Sequence, residues 1–98
     1  MLEGSSVRRP KFVTTAFEHD VTKESINSAI DNAVFHDDDF EPGSDPVKEL
    51  YLGFDVHGNM IEVMANYDEL RKQLIVFHAM KARTKYLNLL SKLNQGRP

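Results

Sequence analysis

Ninety-eight residues are enough for one domain and too few for two, and a 41% hydrophobic share is that of an ordinary globular core. The absence of cysteine excludes disulfides, thiolate metal sites and a cysteine nucleophile. No apolar run approaches the roughly 18 residues of a membrane span, and Met1 to Pro10 lack the apolar stretch of a signal peptide, so a cytoplasmic protein without a membrane partner is expected.

The net charge of −3 hides an asymmetry. Residues 1–70 hold 15 acids and 5 bases, whereas residues 71–98 hold no acid and the 7 bases Arg71, Lys72, Lys81, Arg83, Lys85, Lys92 and Arg97. Such a split means either neutralisation across the fold or an anion-binding face.

In chain order, residues 1–10 read as a flexible arm, followed by a single domain over 11–98. A weak apolar pattern between Phe12 and Asp20 allows a short helix. Thr22 is placed as an N-cap, with Glu24 in the first turn. Ile26, Ala29, Ile30, Ala33 and Val34 then recur on one helical face, which predicts a helix over 22–35. His36 to Pro46, with its run of acids and its Pro and Gly, predicts a solvated loop. Alternation from Leu50 to Asp55, from Met60 to Ala65, and the apolar run Leu74 to Ala79 predict three strands. They are joined by turns at 56–59, where Gly58 and Asn59 suit positive φ, and at 67–69. Leu74 to Phe77 predict that the last of these strands is the central, most buried one. Tyr86, Leu87, Leu90 and Leu93 predict a final helix, closed by Gly96. The fold expected is α+β: a three- to four-stranded antiparallel meander with N-terminal helices and a C-terminal helix packed on it.

The Asp37-Asp38-Asp39 run lacks the spaced acids, glycine and closing glutamate of a calcium loop, and no histidine pair has zinc spacing. No metal and no cofactor is expected. His19, His36 and His57 read as local structural histidines. His78 is different: Lys81, Arg83, Lys85 and Tyr86 follow it within eight residues. Cleavage of RNA through the 2′-hydroxyl needs a base, cations for the phosphorane charge and an acid for the leaving oxygen, and these residue types supply them. The candidate catalytic residues are His78, Arg83 and Tyr86. The candidate phosphate-binding residues are Lys81, Arg83 and Lys85, with Arg83 expected to matter more to function than to folding because its planar fork can grip a phosphate.

The segments Tyr51–Asp55, His57–Val63 and above all Val76–Tyr86, with the string His-Ala-Met-Lys-Ala-Arg-Thr-Lys-Tyr, resemble small bacterial toxin-like proteins near the BrnT group, similar in fold to RelE-type ribonuclease toxins. Phe17–Glu24 is similar to their helix entry, with Glu18 and Asp20 where the pattern has Arg and Gly. The resemblance spans about residues 12–90. It implies a type II toxin-like protein that binds RNA or cleaves it without metal as an mRNA interferase, and whose basic face a cognate antitoxin covers. The competing reading is a non-catalytic protein-binding module or degenerate toxin relative, favoured by the acidic overall charge and by an acidic loop, 37–45, able to fold over the basic face.

Overall fold

The computed structural model describes residues 9–95. The expected arm at 1–10 lies mostly outside them, as does the expected cap at Gly96. The elements are β1 (Lys11–Phe12), a 3₁₀ turn (Thr14–Phe17), α1 (Lys23–Asp31), β2 (Ala33–Asp37), β3 (Lys48–Phe54), β4 (Met60–Asp68), β5 (Gln73–Lys81) and α2 (Thr84–Gln95). The class is α+β as expected. The sheet, however, has five strands in the order β1-β5-β4-β3-β2, with β1 parallel to β5 and every other pair antiparallel.

Thr22 caps α1 as its sequence position implies: its Oγ1 accepts from the Ser25 N–H at 3.1 Å. The helix stops at Asp31 rather than near 35. Ala33 and Val34 continue its apolar phase, but Val34 faces solvent, and residues 33–37 alternate in burial as β2. His36 and Asp37, expected in a loop, are therefore strand residues paired with Tyr51 and Leu50. The short helix allowed before Thr22 is only the 3₁₀ turn. In the β3–β4 turn Gly58 takes φ +83 while Asn59 does not have positive φ; the Asp55 carboxylate accepts from the His57 and Asn59 N–H groups.

Strand alternation sends side chains to two faces. On one, Tyr51, Val63, Ala65, Val76 and Ala79 pack against Ile26 and Ala29 of α1. On the other, Leu50 and Leu52 meet Tyr86, with Phe35, Phe40, Met64 and Leu90 around them. Gly53 lets α1 lie on β3, because a Cβ there would overlap the Ala29 carbonyl. The central strand is β4, and β3 has the longest buried run. The expectation that β5 is central fails for a topological reason: its outer neighbour is a two-residue strand, and within Leu74–Phe77 only Val76 is fully buried.

Candidate functional site

The expected site residues straddle the strand-to-helix junction at the end of β5. What organises them is Glu62, near the start of β4. Its side chain is 0% exposed on the α2 side of the sheet. Oε1 accepts from the Arg83 backbone N–H at 2.9 Å and from Arg83 Nε at 3.1 Å. Oε2 accepts from Arg83 Nη2 at 2.6 Å and meets His78 Nε2 at 2.9 Å. Burial pushes the Glu62 carboxyl up, but the hydrogen bonds from Arg83 and His78 and the Arg83 charge outweigh it and hold it below its ordinary value. Glu62 in turn holds the Arg83 guanidinium above its ordinary value.

Arg83 precedes the first residue of α2, and its carbonyl accepts from the Tyr86 and Leu87 N–H groups. Glu62 therefore puts a negative charge at the positive end of α2 and satisfies the N–H of the residue that starts it. Two of the donor positions in the Arg83 fork are occupied by Glu62, while Nη1 bonds no described residue, so the fork expected to grip a phosphate is largely used within the fold and Arg83 has a structural role that the sequence expectation placed second. The side chain is 42% exposed, so that edge faces outward.

An ionised carboxylate only accepts, so His78 Nε2 donates to Glu62, the arrangement that leaves Nδ1 as the acceptor nitrogen of an imidazole. The His19 ring lies edge-on to His78, centroid to centroid 5.5 Å. Tyr86 is buried, and burial first, then the Glu62 charge, pushes its phenol up, so it stays protonated. Its ring lies 5.6 Å from Arg83 Cζ and 5.0 Å from Lys85 Nζ. The structure thus brings His78, Arg83, Lys85 and Tyr86 to one face. Lys81 pairs across from Ile61, a residue of the α1-side core, and alternation turns it away from His78. Lys92 follows Lys85 at i+7 on α2, the same side of the helix. Arg71 is paired with Asp68; Lys72, Lys81, Lys85 and Lys92 make no ion pair with a described residue.

Glu62 and His19 lie in this cluster although the sequence singles out neither of them as a site residue. An acid between Ile61 and Val63, on a strand with core on both sides, was the available signal for Glu62: a charge there needs a partner. Nothing local marks His19, whose neighbour is 59 residues on. Among the described residues no three His, Asp or Glu side chains group as metal ligands, and no helix is long and apolar enough to cross a membrane. No protein-family model, no curated protein and no solved structure matches this chain.

Proposed function

We propose that the chain is a type II toxin-like protein that binds RNA along α2 and cleaves it beside His78, with a RelE-like sheet as the scaffold. The observation that carries the reading is a histidine oriented by a fully buried carboxylate that also fixes an arginine at the same junction. His78 Nδ1 takes the 2′-hydroxyl proton, and the oxygen attacks the adjacent phosphorus. Lys85 and the outward edge of Arg83 stabilise the phosphorane charge. His19 returns a proton to the leaving 5′-oxygen, giving a cyclic phosphate and a free hydroxyl. Lys92 extends the phosphate track. Lys81 stands off it, on the other face of the sheet. A cognate antitoxin covers this side.

The competing reading, a non-catalytic binding module, is favoured by the occupied Arg83 fork and the net charge of −3. Induced expression separates the two. The toxin reading predicts growth arrest by the wild type and its loss in His78→Ala and in Lys85→Ala/Lys92→Ala. Growth unaffected by the wild type, with intact RNA after incubation with purified protein, supports the binding module and overturns the toxin reading.

A further inference from the structure

On the opposite face of the sheet a cavity of about 690 Å³ opens below the C-terminal end of α1. That volume is in the range of small-molecule sites. Its floor is built by β2 and β3. Glu49 is nine-tenths buried there, and its Oε1 meets His36 Nε2 at 2.6 Å and accepts from the Tyr51 hydroxyl at 2.9 Å. Glu49 Oε2 accepts from no described residue, although the side chain forms part of the cavity wall. A buried carboxylate oxygen without a donor is costly, and a ligand that donates to it removes the cost. His36 and Tyr51 are stacked, with ring centroids 4.1 Å apart, so the floor is rigid and flat.

The charge of the wall selects the ligand. Asp31, Asp38 and Glu49 line the cavity, and Lys72 is the one lysine or arginine among the described lining residues. Ile30 and Asp31, at the C-terminal end of α1, line the same cavity, and the last turn of that helix has no basic residue. The Tyr51 hydroxyl responds to this field: burial first, then Glu49 and Asp38, push its pKa far up. The remaining wall is apolar, with Ile30, Leu74 and Tyr67. We infer that this cavity is a binding site for an organic ammonium: a cationic nitrogen on Glu49 Oε2, with an apolar body against Tyr67 and Leu74. A ring face of tyrosine favours the same charge. The site is separate from the RNA face and stands whether or not that reading holds.

The test is an NMR titration of the full chain with three probes: 2-phenylethylamine, N-acetyl-lysinamide, and 3-phenylpropionate as the charge-reversed counterpart. Saturable shifts at Tyr51, Tyr67 and Leu74 with 2-phenylethylamine, and none with 3-phenylpropionate, are expected. Tighter binding of 2-phenylethylamine identifies a free small amine as the ligand class. Tighter binding of N-acetyl-lysinamide keeps the ammonium site and assigns it to a lysine side chain of a partner. Glu49→Gln is expected to weaken amine binding about tenfold or more. Asp38→Asn, at an exposed position, weakens it by a smaller factor and guards against misfolding of the first variant. Wild-type protein that binds neither amine, or that binds 3-phenylpropionate as well as the amine, overturns the inference.

Discussion

Replacing Arg83 by alanine tests how far α2 depends on Glu62. The substitution leaves a carboxylate that is 0% exposed with His78 and one backbone N–H as its remaining donors. Removing one partner of a buried ion pair costs about 3–5 kcal/mol. Arg83 is itself 42% exposed, so water can approach the vacated side, and screening brings the figure down to about 2–3 kcal/mol. For a domain of this size that is a fall in Tm of about 10 °C or more. Arg83→Lys restores charge without the two-bond geometry and recovers part of the loss. Urea unfolding followed by circular dichroism measures it. The control is Glu62→Leu/Arg83→Ala, which removes both charges and should be more stable than Arg83→Ala alone. A loss below about 0.5 kcal/mol in Arg83→Ala would refute the argument and return Arg83 to the class of surface arginines.

Other outcomes follow from the same geometry. Gly53→Ala would drive a methyl into the Ala29 carbonyl and should cost about 3 kcal/mol or more, measured by thermal unfolding. Thr22→Ala removes the α1 cap and should cost about 1 kcal/mol in urea titration. The Glu62 carboxyl sits below its ordinary value of 4.5, so the folded chain binds fewer protons than the unfolded chain just below that pH. The stability this carboxylate contributes is complete above pH 4.5 and is lost as pH falls through the folded-state value. Glu62→Gln should therefore flatten the acid limb of a stability–pH curve, and a limb as steep as the wild type's would show that other carboxylates set it.

Local signals in the sequence were reliable where the structure satisfied them locally. Thr22, the Gly58 turn, the three antiparallel strands and the last helix all carry signals in neighbours within a few residues. The failures are tertiary. Ala33 and Val34 keep the phase of the preceding helix, and only pairing with β3 pulls them into a strand. A two-residue β1 has no period to detect, yet it decides that β5 is not a bare edge. Leu74 to Phe77 resemble a central strand, but their outer neighbour is too short to bury them. The basic junction after His78 was legible from residue types alone. Its organiser was not, since Glu62 lies 21 residues from Arg83 and looks like one more alternating strand position. The His36–Glu49–Tyr51 floor was hidden for the same reason: its parts belong to different strands, and His36 sits at the edge of an acidic run that suggests a loop.

Whether RNA is held on α2 is decided by the salt dependence of binding to single-stranded RNA. Each lysine that neutralises a phosphate adds about 0.7 to the slope of log affinity against log salt for a single strand. Measurable binding at low salt that falls steeply as salt rises is expected, with the slope shallower by about 1.4 in Lys85→Ala/Lys92→Ala and nearly unchanged in Lys81→Ala. No binding at low salt, or an equal loss of slope in Lys81→Ala, would contradict it.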